Sequence, residues 1–193
     1  MSCLELMARK KQYNEADVID KAMHVFWQNG YKGTSMQMLE DEMGINKFSI
    51  YSSFGSKKGL FLESINSYKK KTNQLFEKLI HGTKGLDDIK EFFYDSVNIC
   101  HEKGNIKGCL VTNTYYEFSD SEDVTIQDNM EGFMSNLKTI FIEKLRMDST
   151  KDDATIMKQA NFLLLAKHGL AASTKVNTKK EIEDYIEMTF SKL

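Results

Sequence analysis

The chain has 193 residues, of which 41% are hydrophobic and 28% are charged, and its formal net charge at pH 7 is −2. This balance suits a folded protein with one small and one larger domain, and it argues against a DNA-architectural protein, which needs a broadly basic surface. No run of about 18 apolar residues and no signal-peptide pattern occurs, so we expect a cytoplasmic protein with no membrane among its partners.

The cysteine count and the absence of catalytic motifs narrow the class of protein. Cys3, Cys100 and Cys109 are odd in number and unevenly spaced, which argues against a disulfide framework and for a reducing compartment. The sequence contains no nucleophile elbow, phosphate loop, paired His–Glu metal motif or dinucleotide fingerprint. We therefore predict that the protein is not an enzyme and has no catalytic residue, metal site or cofactor.

The spacing of apolar residues predicts an all-α fold. The chain has no proline, and its apolar residues recur at helical intervals nearly throughout, which indicates about nine helices. The first helix is capped by Asn14 and runs to Asn29. Gly30 and Gly33 then break the chain around Tyr31.

Residues 34–58 have the pattern of a helix-turn-helix. Thr34 or Ser35 caps one short helix, Gly44 ends it, and Asn46 caps a second helix, KFSIYSSF. From Asn46 to Lys58 the chain holds three lysines and no acid, so a polyanion can approach without meeting like charge. This pattern predicts a surface for double-stranded DNA.

The residues predicted to contact DNA are Thr34, Ser35, Asn46, Lys47, Phe48, Ser49, Tyr51, Ser52, Ser53 and Lys57. Their hydroxyls and Lys57 suit phosphates, whereas Lys47 suits the O6 and N7 atoms of guanine. Phe48 and the ring of Tyr51 suit a thymine methyl group. Arg9, Lys10 and Lys11 form a basic arm, which either lies along the DNA or is a frayed terminus.

A long connector helix begins near Lys57 after a turn at Gly55 and Ser56. We place the domain boundary there, with a helix-turn-helix DNA-binding domain at 1–56 and an effector-binding and dimerisation domain at 57–193. Residues 1–71 hold 11 basic and 8 acidic residues, whereas the remainder holds 15 and 20. The predicted DNA surface thus belongs to the basic part of the chain.

The run from Val18 to Leu60 resembles the N-terminal domain of the tetracycline-repressor (TetR) family of bacterial regulators. The resemblance is carried by several short segments at the family's spacing. They are FWQNGYKGTS, Met38-Leu39, Glu42-Met43-Gly44-Ile45, Ser49-Ile50-Tyr51 and Ser56-Lys57. The segment GCLVTNTYYE is also similar to the GCL-x-x-N-x-x-x-E segment of one branch. The resemblance implies a bacterial homodimeric repressor with an N-terminal helix-turn-helix domain of three helices and a C-terminal helical bundle. Such a repressor would dissociate from a near-palindromic operator when a small molecule binds the helical bundle.

An apolar or aromatic small molecule is the expected type of effector, and its candidate pocket residues are mostly aromatic. They are Phe92, Phe93, Cys109, Tyr115, Tyr116, Phe133, Met134 and Phe162. Because aromatic residues and methionines at helical spacing also build ordinary cores, most of this set can serve packing alone. The resemblance assigns the dimer interface to the last two helices, where the candidates are Phe162, Leu165, Leu170, Tyr185 and Met188.

Cys109 carries a second functional hypothesis. It follows Gly108 at the predicted start of a short helix and has Lys107 nearby, so the helix dipole and the ammonium both favour a thiolate. A thiolate there would sense electrophiles or oxidants, as the resemblance implies for some regulators of that branch. The alternative is a small buried thiol that fills a helix contact.

Overall fold

A computed structural model of the chain describes residues 13–100, 108–121, 123–148, 150–191 and 193. All regular elements in this described part are helices, and the all-α prediction is confirmed. They are α1 (Glu15–Gly33), α2 (Met36–Met43), α3 (Lys47–Phe54), α4 (Lys57–His81), α5 (Leu86–Cys100), α6 (Leu110–Glu117), α7 (Val124–Leu145), α8 (Asp153–Ser173) and α9 (Lys179–Phe190). The predicted basic arm and Lys107 lie outside the described residues.

The chain divides into two compact units, Met1–Ser67 and Tyr68–Leu193. This division falls inside α4, whereas the predicted boundary after residue 56 lies just before that helix. The start of α4 belongs to the first unit because Phe61 is buried there, with its ring centroid 4.9 Å from that of Phe26. The assignment of DNA binding and effector binding to the two parts remains a prediction.

Helix α1 begins and bends where the sequence predicts. The side-chain oxygen of Asn14 accepts a hydrogen bond of 3.0 Å from the backbone N–H of Ala16, which caps the helix. Gly30 has a φ of 72°, a value that favours glycine, and it interrupts the helical backbone before the last turn. The buried side of α1 carries Met23 and Phe26, both 0% exposed.

Helices α2 and α3 owe their limits to two caps and one glycine. Ser35 caps α2 by accepting from the N–H of Met38 at 3.2 Å, and Gly44, with a φ of 69°, ends it. Asn46 caps α3 by accepting from the N–H of Ser49 at 2.9 Å. Ile50 is 0% exposed, so one side of α3 is anchored in the first unit and the opposite side faces outward.

The second unit buries a core between the later helices. Phe93, Phe141 and Leu163 are among its fully buried members, and α5, α7, α8 and α9 supply most of the others. Lys144 on α7 is also buried: its ammonium donates to the carbonyls of Ile80 and Gly82 and lies 3.5 Å from Asp88. Within the described ranges, no helix has both the length and the apolar character that a membrane span requires.

Two glycines provide a test of the helix packing. A Cβ added to Gly59 would lie 2.1 Å from the carbonyl oxygen of Phe54, whereas a Cβ added to Gly132 in α7 would meet nothing within 4 Å. Gly59→Ala should therefore displace the end of α3 and cost about 1–3 kcal/mol, an overpacking penalty. Gly132→Ala should stabilise α7 by about 0.5–1 kcal/mol. Thermal unfolding followed by circular dichroism should give opposite shifts in Tm, and shifts of the same sign would contradict this packing.

Candidate functional site

The outward face of α3 exposes two aromatic side chains. Phe48 is 81% exposed and Tyr51 is 40% exposed, and Lys47 and Ser52 are exposed beside them. Neighbouring exposed apolar groups that are surrounded by polar residues are typical of binding surfaces. The face therefore offers two rings, an ammonium and a hydroxyl to a partner outside the unit.

Neighbouring groups fix the start of α3. The backbone N–H of Lys47 donates to Oε1 of Glu40 at 2.5 Å, and that of Ser49 donates to Asn46. Because these helix N-terminal amides already have acceptors, we assign contacts with an anion here to side chains. The ammonium of Lys47 lies 5.8 Å from the ring centroid of Tyr51, within the range of a cation–π contact.

Lys57 is held at the start of α4 by the break in α1. Its ammonium donates to the carbonyl oxygen of Tyr31 at 2.7 Å and lies 4.5 Å from the centroid of the Tyr31 ring. The break around Tyr31 thus fixes the position of the Lys57 ammonium at the start of α4. Ser53 lies near the C-terminal end of α3, and its hydroxyl is 2.5 Å from that of Tyr13.

Thr34 requires a correction within the predicted DNA-contacting set. Its side chain is 2% exposed, and its hydroxyl donates to the carbonyl oxygen of Gly30 at 2.6 Å. The hydroxyl therefore serves the bend of α1, and Ser35 is the exposed member of the pair. We remove Thr34 from the residues considered for phosphate contact.

The second unit contains a cavity of about 40 Å³. Its walls are mainly apolar and aromatic, with a few polar groups. The lining residues are Tyr68, Thr72, Leu75, Phe76, Phe92, Ser96, Ile99, Cys109, Thr112, Phe133, Met134, Leu137, Lys167 and His168. Such a lining, with few polar groups that can orient a ligand, is typical of small-molecule sites.

Four of the eight predicted pocket residues line this cavity: Phe92, Cys109, Phe133 and Met134. Phe93 is instead part of the core, where its ring packs 5.1 Å from that of Phe190. Successive residues of α5 point in different directions, so Phe92 and Phe93 cannot both face the cavity.

The other three predicted pocket residues lie outside the lining. Tyr115 and Tyr116 pack beside His168, with ring centroids 5.6 and 5.9 Å from it, so they reach the cavity only through that histidine. Phe162 is 47% exposed on α8. Its exposed position suits the predicted dimer surface and not the pocket.

Gly108 lets Cys109 approach α8. Its φ is 67°, and an added Cβ would lie 2.8 Å from the carbonyl oxygen of Ala171. Cys109 then occupies the N-cap position of α6 and is half-buried. The hydroxyl of Tyr68 donates to its sulfur at 3.6 Å.

The polar surroundings of Cys109 favour its thiolate. Burial opposes ionisation and is the largest single influence on its pKa. The positive charge of Lys167, hydrogen bonds from Thr112 and the Tyr68 hydroxyl together outweigh burial, so the pKa of Cys109 lies below its ordinary value. Lys167, rather than the predicted Lys107, is the cation that the described structure supplies.

Lys167, which directly precedes His168 on α8, is not among the residues that the sequence predicted for the pocket. Lys167 is 6% exposed, and its ammonium lies 5.8 Å from the centroid of the Phe92 ring. Burial, and then the Lys167 charge, lower the pKa of His168, which keeps its ring neutral at neutral pH. A signal was present: in NFLLLAKHGLAAS the lysine falls four residues after the buried Leu163, on the core side of α8.

The predicted dimer residues divide into two groups. Phe162, Leu165 and Met188 are 47%, 68% and 70% exposed, respectively, and are accessible to a second copy. Leu170 is 1% exposed and belongs to the core, and the hydroxyl of Tyr185 donates to the carbonyl oxygen of Ala166. These last two residues serve packing within the unit, so we remove them from the candidate interface.

A helix-turn-helix with an outward-facing second helix is the arrangement by which DNA-binding transcriptional regulators present a recognition helix to the major groove. Residues 18–64 match the family described as bacterial regulatory proteins, tetR family. This match spans most of α1, all of α2 and α3 and the first turns of α4, so the likeness to that family covers the helix-turn-helix segment.

Two similar proteins are HTH-type regulators of transcription. The uncharacterized HTH-type transcriptional regulator YezE of Bacillus subtilis (strain 168) is 27% identical in an alignment of 194 residues that covers 97% of this chain and 100% of YezE. The HTH-type transcriptional repressor ComR of Escherichia coli (strain K12) is 31% identical in an alignment of 124 residues that covers 60% of this chain and 57% of ComR.

A solved structure shares the fold along nearly the whole chain. It is a cysteine mutant of the TetR family transcriptional regulator CifR, complexed with 26bp double-strand operator DNA. Its TM-score is 0.85 at 22% identity, with 95% of this chain and 98% of that chain covered.

The proximity of Lys167 to Cys109 predicts a change in thiol reactivity. Lys167→Met should raise the pKa of the Cys109 thiol, because it removes the cation that favours the thiolate, and should thereby slow alkylation. The measurement is the rate of iodoacetamide labelling of the peptide containing Cys109, followed by mass spectrometry at neutral pH. Lys70→Met, at an exposed position of α4, is the control. Equal rates in wild type and Lys167→Met would show that Lys167 does not activate the thiol.

Proposed function

We propose that the protein is a homodimeric repressor that leaves a near-palindromic operator when a small molecule occupies the cavity of its second unit. The observation that carries this proposal is the combination of an outward-facing α3 with an apolar cavity lined by a few polar groups. A ligand that binds better to the form with low DNA affinity shifts the population toward that form, and DNA weakens ligand binding by the same factor.

In the proposed complex, α3 lies in the major groove. Lys47 reaches guanine O6 or N7, and Phe48 or the ring of Tyr51 packs against a thymine methyl group. Lys57 and the exposed hydroxyls contact phosphates. Phe162, Leu165 and Met188 are available to join two copies, which would place two α3 helices about 34 Å apart, one turn of DNA.

The second unit is proposed as the effector-binding and dimerisation domain, with α4 as the connector that begins at Lys57 and carries Tyr68 and Thr72 in the cavity wall. A displacement at the cavity would then be passed along a continuous helix. The segment GCLVTNTYYE supports membership of the branch that carries the similar effector-domain segment.

The division of roles between the two lysines can be tested by substitution. Lys47→Ala should remove about 1–3 kcal/mol of discrimination between operator and variants at one base pair, because a base contact is lost. Lys57→Ala should weaken binding to all DNA and reduce the slope of log K against log salt by about one or two units for the dimer. Fluorescence anisotropy with operator and scrambled DNA measures both effects.

Lys70→Ala, an exposed change in the second unit, is the control for loss of one positive charge. The Tm of Lys57→Ala must be checked, because its ammonium also bonds to Tyr31. If both variants lose affinity without any change in sequence preference, this division of roles is wrong.

A second candidate function is a thiol-based sensor of electrophiles or oxidants that acts through Cys109 on the same DNA-binding scaffold. It is favoured by the lowered pKa of the Cys109 thiol and by the position of its sulfur in the cavity wall. A bulky group added to that sulfur would occupy the cavity, so covalent modification would act as a bound ligand does.

The sensor hypothesis predicts that Cys109→Ser remains bound to operator DNA when an electrophile such as N-ethylmaleimide releases the wild type. Serine preserves the size of the side chain but is a far weaker nucleophile. The measurement is a gel-shift titration with and without the electrophile, and Cys3→Ser is the matched control that should still be released. Release of Cys109→Ser at the wild-type rate would rule out this cysteine as the sensor.

A further inference from the structure

We propose that the cavity of the second unit takes a small organic acid, with a flat apolar or aromatic body and one carboxylate that pairs with the ammonium of Lys167. The inference rests on the proposed function, because it gives the chemical class of the ligand for that same cavity.

The first argument is the charge of Lys167. The residue is only 6% exposed, and it lines the cavity. In the described ranges no carboxylate is paired with it. The other fully described buried lysine, Lys144, has two carbonyl acceptors and Asp88. An ammonium at a mainly apolar cavity wall is stabilised by an anion beside it, so an anionic ligand would supply the counter-ion that the described residues do not.

The second argument is that other polar donors of the lining are already used. The hydroxyl of Thr72 donates to the carbonyl of Tyr68 at 3.1 Å, and that of Ser96 donates to the carbonyl of Phe93 at 2.8 Å. The hydroxyl of Tyr68 donates to the Cys109 sulfur. A ligand that needs a strong donor therefore finds it in Lys167.

The third argument is the shape of the apolar walls. The ring of Phe76 meets the rings of Phe92 and Phe133 at centroid distances of 5.3 Å each, in edge-to-face geometry. Phe92 is also the ring that lies beside the Lys167 ammonium. A flat body inserted among these rings can direct its carboxylate to the ammonium, and the small volume of the cavity favours a body of about one ring.

Cys109 is the internal rival for the same cation. Lys167 favours the thiolate of Cys109, so a bound carboxylate and the thiolate would compete for one ammonium. The acid-binding state is then the one in which Cys109 remains a neutral thiol. A reversible acid ligand and covalent modification of the Cys109 sulfur are therefore alternative ways to occupy the cavity. The acid pairs with Lys167, whereas modification places a group that is bonded to the sulfur in the cavity.

The test uses the full chain and three probes of similar shape: benzoate, benzamide and benzyl alcohol. Isothermal titration calorimetry should show that the wild type prefers benzoate to both neutral probes by about tenfold or more, the effect of a charge-assisted hydrogen bond. Lys167→Met should bind benzamide as the wild type does and lose the preference for benzoate. The control Lys70→Met should retain the preference.

The Tm values keep the test interpretable. Lys167→Met should melt no lower than the wild type, because it removes the charge of a buried side chain that has no carboxylate partner among the described residues. If that variant fails to fold, Lys167→Gln replaces it, and the loss of preference for benzoate remains the expected result.

Three results would overturn the proposal: equal binding of benzoate and benzamide by the wild type, a preference for benzoate that survives in Lys167→Met, or absence of benzoate binding at millimolar concentration. Operator affinity is measured with the same probes to separate the two claims. Benzoate binding through Lys167 without any loss of operator affinity would retain the acid site and reject ligand-induced release. Release of operator DNA by the neutral probes alone would retain ligand-induced release and reject the acid site.

Discussion

The orientation of α3 is the constraint on which the DNA-binding surface depends. Ile50 is fully buried on one side of this short helix, so its opposite side must face outward. Asn46 caps its first turn, and Glu40 accepts from the backbone N–H of Lys47, which fixes where the helix starts. The exposure of Phe48 and Tyr51 follows from these contacts. A helix of eight residues would have no stable conformation or direction of its own without them.

The second unit follows a different logic, in which charge is placed inside an apolar wall. Lys144 and Lys167 are both buried, yet the first is surrounded by acceptors and ties α7 to the turn after α4. The second faces a cavity beside a thiol and an aromatic ring. Burial alone therefore does not define a functional residue: one lysine stabilises the fold, and the other is the residue that we propose to pair with a ligand.

Much of the fold could be predicted because it depends on local rules. The caps at Asn14 and Asn46, the left-handed glycine at Gly44 and the apolar spacing of α2 each depend on a few neighbouring residues. The division between compact units at Ser67 could not be predicted this way, because it depends on Phe61 packing against a helix far away in sequence.

The candidate site was less predictable than the fold. Periodicity identified Phe92 and Phe93 as inward-facing, but only tertiary packing decides that the first lines the cavity and the second meets Phe190. Helix α8 buries residues over a broad arc, so the sequence could not separate the core residue Leu170 from the exposed Leu165. Thr34 and Ser35 are both good caps by type, and only the bend at Gly30 directs Thr34 inward. Lys167 was detectable as a charge in an apolar helix, but its relation to Cys109 requires the fold.

The central claim is that this chain reads a specific DNA sequence as a symmetric dimer, and the most direct test is selection from a library of random double-stranded DNA. The purified protein should enrich a near-palindromic motif whose half-sites lie about 10 base pairs apart, or a multiple of that spacing, since two α3 helices must enter successive major grooves on one side of the duplex. Recovery of DNA without any enriched motif, or of a single half-site without its inverted copy, would contradict the account.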